Sequence, residues 1–169
     1  MNASLPTSAR IVVADAGPLI ALGRLDALHL LPALFAEIQV TATVLAECAA
    51  RPGFIDAQRI EQAVRKGWLI PCVDEFERPS GRLDPGEASA IARALAIEAG
   101  LLLDDRAAVV YARALGLKVI GTLGLLVLAK RRGEIERVTP LIEELQRGGH
   151  YLGARAVQAA LAAAGEEII

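Results

Sequence analysis

At 169 residues the chain is long enough for one domain with a substantial buried core. Its apolar fraction is 54% but its aromatic fraction only 4%, so the core must be aliphatic, as in helices packed closely on a sheet. A formal net charge of -2 excludes a global positive field, and any polyanion must therefore be met by a local patch.

Met1 to Arg10 reads as a short polar lead-in without an apolar run of signal-peptide length. Strand-like runs follow at Ile11 to Asp15, Ile38 to Ala42, Trp68 to Val73, Leu101 to Asp104 and Lys118 to Thr122. Several are apolar on both parities, the pattern of strands covered on both faces. Helical patterns alternate with them. Pro18 to His29 covers a short helix or two, and Thr43 to Ala50 follows the second strand. Ile55 to Lys66 repeats Ile60 and Val64 at helical spacing before Gly67 ends it. Asp84 to Ala99 is expected to close at Gly100, Arg106 to Leu115 at Gly116, and Leu123 to Arg132 at Gly133. Asp74 to Leu83, with Pro79-Ser80-Gly81, reads as an exposed loop. Beyond Val138 no strand pattern appears; Thr139-Pro140 starts a helix ending at Gly148-Gly149, and Tyr151 to Gly165 reads as a last, Ala-rich helix. The alternation predicts a parallel α/β sheet of about five strands with right-handed crossovers and flanking helices.

Cys48 and Cys72 have neither metal-type spacing nor a disulfide framework, and their apolar surroundings predict buried free thiols. Reduced thiols suit a cytoplasmic protein. The longest apolar stretches are broken well short of the ~20 residues of a membrane span.

Carboxylates carry most of the chemical information. Asp15 ends the first strand and precedes Ala16-Gly17-Pro18, a strand-to-helix junction at the edge where open α/β sheets bind ligands. Its plainer reading is a helix cap. Glu47 lies on a small helix among apolar neighbours and becomes interesting only if its face points toward Asp15. Asp84-Pro85-Gly86-Glu87 resembles a capping box, which alone would account for both acids. Asp104 and Asp105 end the fourth strand, where one can cap the next helix while the other points into the cleft. Gly121-Thr122-Leu123-Gly124 follows the fifth strand; its hydroxyl and amides could hold a phosphate or water, although it matches neither a P-loop nor a dinucleotide fingerprint. His29 and His150 show no ligand spacing and read as structural or exposed.

Four fragments together resemble the PIN-domain family: Val13-Ala14-Asp15-Ala16-Gly17-Pro18-Leu19-Ile20, Gly86-Glu87-Ala88-Ser89-Ala90-Ile91-Ala92, Leu103-Asp104-Asp105-Arg106 and Gly116 to Gly124. The resemblance spans about 11–152, leaving 1–10 as the lead-in and 153–169 as a helical extension packed on the domain or on a partner. Its order and spacing are similar to a prokaryotic branch related to VapC-type toxin ribonucleases. It implies a three-layer sandwich and a Mg²⁺- or Mn²⁺-dependent endoribonuclease. The implied catalytic residues are Asp15, Glu47, Glu87 and Asp105. The implied metal ligands are Asp15, Glu87 and Asp105, with Asp104 as the alternative one residue away. Thr122, Arg106 and Arg113 are the implied substrate contacts, with Lys130-Arg131-Arg132 as a second basic cluster. RNA, a small antitoxin and a homodimeric partner are the associated expectations.

Two positions depart from the family pattern: Gly17 replaces a residue that is often Ser or polar, and Glu87 replaces the commoner Asp. Both bear on metal geometry. The Gly17 departure, with the weak overall basicity, favours the rival expectation of a catalytically weak or inactive PIN-fold module that binds nucleic acid or protein, against which the complete acid set stands. A haloacid-dehalogenase-like phosphatase would require an Asp at position 17 and ranks last.

Overall fold

The computed structural model describes residues 11–75 and 82–167. The lead-in, the Pro79-Ser80-Gly81 part of the expected loop, and Ile168-Ile169 lie outside the described residues. Five parallel strands form one sheet in the order β3-β2-β1-β4-β5. They are β1 (Ile11–Ala14), β2 (Glu37–Thr41), β3 (Ile70–Cys72), β4 (Gly100–Leu102) and β5 (Val119–Ile120).

The central strands are apolar on both faces for a physical reason. Val12, Val13 and Ala14 of β1 and Leu101 and Leu102 of β4 are wholly buried, so neither parity can carry a polar side chain. The outer strand β3 tolerates Pro71, whose missing N–H would interrupt a ladder further in. β1 pairs with β2 on one side (Val12 with Ile38) and with β4 on the other (Val12 with Gly100). The connections reverse direction between β1 and β4, and a crevice opens at such a switch point beyond the carboxyl ends of the strands.

Helices α1 (Ala16–Arg24), α2 (Leu30–Leu34), α3 (Ala42–Cys48) and α4 (Ile55–Arg65) belong to the first half of the chain. α5 (Pro85–Ile97) returns across β2 and β1 to reach β4, and α6 (Arg106–Ala114) leads to β5. α7 (Thr122–Arg131), α8 (Thr139–Arg147) and α9 (Ala154–Ala163) complete the domain. α1 packs on α4 and touches α7, while α3 stands between α1 and α5 at the carboxyl edge. α5 supplies Ala90, Ile91 and Ala94 to the core; the small alanines let the helix axis approach the sheet closely.

Three helix ends follow the expected glycines, with Gly67, Gly116 and Gly133 at positive φ. The end of α5 does not. Glu98 itself takes the left-handed conformation (φ 53°), and Gly100 begins β4, where a Cβ would lie 3.3 Å from a Val12 methyl. Gly100 is therefore a close-approach residue of the sheet. The extension is packed on the domain through α7, with Val157, Ala160 and Leu161 buried. Among the described residues no helix is long and apolar enough to cross a membrane.

Candidate metal centre

β1 delivers Asp15 to the switch point. Its backbone N–H donates to Leu102 O at 2.9 Å, tying it across to β4. The side chain does not cap α1, so helix capping does not explain this acid. Only 7% of Asp15 is exposed, and Oδ1 is buried with no hydrogen-bond partner. Burial, then repulsion from Asp84, Glu87 and Glu47, raises its pKa from 3.8 to about 7 despite a lowering backbone contact at Ala16.

Glu47 reaches the same region from α3. Thr41 caps that helix, its hydroxyl accepting from Val44 N at 3.2 Å. The Glu47 carboxylate lies against Gly86: a Cβ there would overlap its oxygens and come 2.7 Å from its carboxyl carbon. Glycine leaves open here the space that the Glu47 carboxylate fills, so a larger residue would push the end of that side chain aside. Burial, followed by repulsion from Asp84, raises the Glu47 pKa, against a lowering contact with the Gly86 backbone.

The capping box at the start of α5 is present in both halves. Glu87 N donates to Asp84 Oδ1 at 2.8 Å, and Asp84 N donates to Glu87 Oε2 at 3.1 Å. Glu87 is nonetheless buried (8% exposed), with its pKa raised by burial and then by Asp84 and Asp105. Asp84 thus repels Asp15, Glu47 and Glu87 alike and belongs to the cluster. Sequence reasoning assigned it only the cap, although a capping acid pointed at a sheet edge was the signal that could have included it.

The fold separates the adjacent aspartates. Asp104 turns both oxygens to Thr122, accepting from its N–H at 2.7 Å and its hydroxyl at 2.6 Å. Asp105 caps α6 through Oδ1, which accepts from Ala108 N at 2.9 Å, and faces Glu87 electrostatically. Thr122 is almost fully buried, with its hydroxyl and amide both committed to Asp104. Arg106 is exposed in the first turn of α6, whereas Arg113 lies in its last turn, roughly 10 Å further along the helix. Lys130 of the second basic cluster is engaged elsewhere, bonding Glu166 at 2.8 Å. His150 comes within electrostatic reach of Asp104, and its pKa is lowered chiefly by burial. Cys48 is buried beside Asp15 and Glu47; burial first, then these charges, pushes its thiol up to about 12, which keeps it protonated.

Asp15, Glu47, Asp84, Glu87 and Asp105 therefore form one electrostatically coupled group, and among the described residues none of them is in an ion pair. The unpartnered Oδ1 of Asp15 and an all-oxygen donor set fit a hard divalent cation such as Mg²⁺ or Mn²⁺. Among the described residues, no three acidic, imidazole or thiol groups already stand together as one ion's ligands. Glu87 Oε2 and Asp105 Oδ1 are held by the caps of their own helices, so each of these carboxylates has one oxygen committed to backbone and a second that the cap does not use.

A protein-family model described as DUF3368: PIN domain matches residues 11–166. No curated protein matches the chain. Among solved structures, the chain is similar to a PilT N-terminus domain protein from the archaeon Sulfolobus solfataricus P2. That similarity has 22% identity and a TM-score of 0.55, covering 70% of this chain and 92% of the other. A domain of a functionally unknown protein from Methanocaldococcus jannaschii DSM 2661 is similar at 20% identity and a TM-score of 0.46, over 66% of this chain and 89% of the other. The Sulfolobus likeness speaks for the fold alone, and the sequence match spans nearly every described element, from β1 to Glu166. The chain belongs to the PIN-domain family.

Proposed function

We propose that this PIN domain is a Mg²⁺- or Mn²⁺-dependent endoribonuclease centred on Asp15. The observation carrying this reading is the buried, unpartnered Oδ1 of Asp15 among four further coupled carboxylates. Such mutual repulsion is costly unless a cation or shared protons offset it. Asp15 would hold the ion, with Glu87 and Asp105 completing the ligand set and Glu47 binding the ion or orienting water. A bound divalent cation supplies an activated water and neutralises charge on the scissile phosphate. Arg106, exposed beside the acids, would meet an RNA phosphate, and Arg113 would extend that track along α6. Asp104 and Thr122 serve each other in this reading, together fixing the start of α7 beside the site. The narrower form, a toxin restrained by a small antitoxin and acting as a homodimer, is tested by co-purification from the native host.

The caps that hold one oxygen each of Glu87 and Asp105 favour a second reading, a PIN-fold binding module with weak metal affinity. The deciding experiment treats the protein with chelator, titrates Mn²⁺ calorimetrically, and follows cleavage of mixed-sequence RNA. The nuclease reading expects metal-dependent cleavage that Asp15→Asn and Asp105→Asn each abolish. Unchanged cleavage in Asp15→Asn would overturn it, and RNA binding without cleavage at saturating Mn²⁺ would support the binding module.

A further inference from the structure

α3 and α5 carry acids of the site but share no backbone ladder, so something else must set their spacing. Two polar side chains meet between them at zero exposure: Thr41, where β2 passes into α3, and Ser89, on α5 two residues beyond Glu87. Their hydroxyl oxygens are 2.7 Å apart. Ser89 Oγ donates to Gly86 O at 2.9 Å, and Thr41 Oγ1 accepts from Val44 N at 3.2 Å. These neighbours fix the direction of the shared bond. Ser89 spends its proton on the carbonyl, so Thr41 donates to Ser89. The result is a one-way series from Val44 N–H through Thr41 and Ser89 to Gly86 O. It ends on the glycine against which the Glu47 carboxylate rests.

We infer that the buried Thr41–Ser89 hydroxyl pair is a positioning device that holds Glu47 on the first turn of α5, in register with Glu87. The inference rests on the metal-dependent reading only for its effect on cation binding; the register itself is a property of the metal-free protein. Apolar packing would hold the two helices together without direction, whereas a hydrogen bond constrains distance and angle together. Groups that orient metal ligands from behind typically change metal affinity about 10- to 100-fold when removed.

The test compares two variants that each perturb the pair. Ser89→Ala removes one hydroxyl, while Thr41→Ser removes a buried methyl but keeps both hydrogen bonds. The first readout is the NMR shift of the Gly86 amide in metal-free protein, and the change that Glu47→Gln produces in it. That change should be clear in the wild type, retained in Thr41→Ser, and largely lost in Ser89→Ala. The second readout is Mn²⁺ affinity by calorimetry, expected about 10-fold weaker in Ser89→Ala and within about twofold of wild type in Thr41→Ser. Thermal melts of both variants establish how far each is destabilised. If Ser89→Ala keeps the Glu47-dependent shift, or Thr41→Ser loses it equally, the pair is ordinary packing and the inference is overturned. If the wild type binds no Mn²⁺, the nuclease reading fails, and the NMR comparison still decides the positioning role.

Discussion

Replacing Asp15 by Asn should abolish metal-dependent cleavage yet make the metal-free protein more stable at neutral pH. Asp15 is only 7% exposed and its Oδ1 lacks a partner. Its pKa rises from 3.8 to about 7 on folding. The folded state therefore holds more protons than the unfolded chain between these two values. Stability falls as pH rises through that window, and the full penalty is present above about pH 7. A shift of that size corresponds to roughly 4 kcal/mol as a ceiling. Relaxation around the charge and the unsatisfied amide of the variant bring the expected gain to about 2 kcal/mol. For a domain of this size that is about 4–8 °C in Tm. The assay is thermal or urea unfolding with chelator at pH 4.5 and pH 8. The variant should gain at pH 8 and differ little at pH 4.5, and saturating Mn²⁺ should narrow the gap by stabilising only the wild type. A variant no more stable than wild type at pH 8 would refute the claim that an ionised, uncompensated carboxylate is stored here.

Two further predictions address the surroundings of this group. Gly86→Ala should leave the fold near its original stability, because the added methyl meets only the mobile end of Glu47 and alanine suits a helix. Displacing that carboxylate should weaken Mn²⁺ binding about 10-fold by calorimetry; unchanged affinity would exclude Glu47 from the centre. Glu166→Gln should lower stability by about 2 kcal/mol at pH 7 in urea titration without altering cleavage. Burial alone would raise the Glu166 pKa, but bonds from Lys130, Thr139 and the Val138 and Thr139 amides lower it from 4.5 to about 2. Its stabilisation is therefore complete above pH 4.5 and disappears as pH falls toward 2, so the two proteins should converge in that range.

The parallel sheet was legible because its central strands are buried on both faces, which leaves unbroken aliphatic runs such as Ile11-Val12-Val13-Ala14. Helix ends at Gly67, Gly116 and Gly133 were legible because a positive φ penalises most other residues. Gly100 misled for the same reason: glycine also serves close strand contact, and sequence does not distinguish the two uses. The short α2 was not anticipated, since its five residues have too few turns to show a period. At the site, strand-end position singled out Asp15 and the Asp104-Asp105 pair, but which of the pair turns toward Thr122 depends on β5 lying beside β4. The role of Glu166 as a remote cap for α8 was likewise invisible, because its partners Lys130, Val138 and Thr139 meet it only in the assembled domain.

The place of β1 in the middle of the sheet also sets the order in which the centre can come into being. Val12 finds one neighbour soon, at Ile38, but the other only at Gly100, far along the chain. Closing so long a loop is entropically slow and must precede the contacts that reward it. On a growing polypeptide Asp15 and Glu47 emerge early and remain apart from Glu87 and Asp105 until α5 and β4 have been made. A nascent or truncated chain ending before β4 thus lacks the assembled acid cluster. Any activity of this domain is switched on by completion of its own fold.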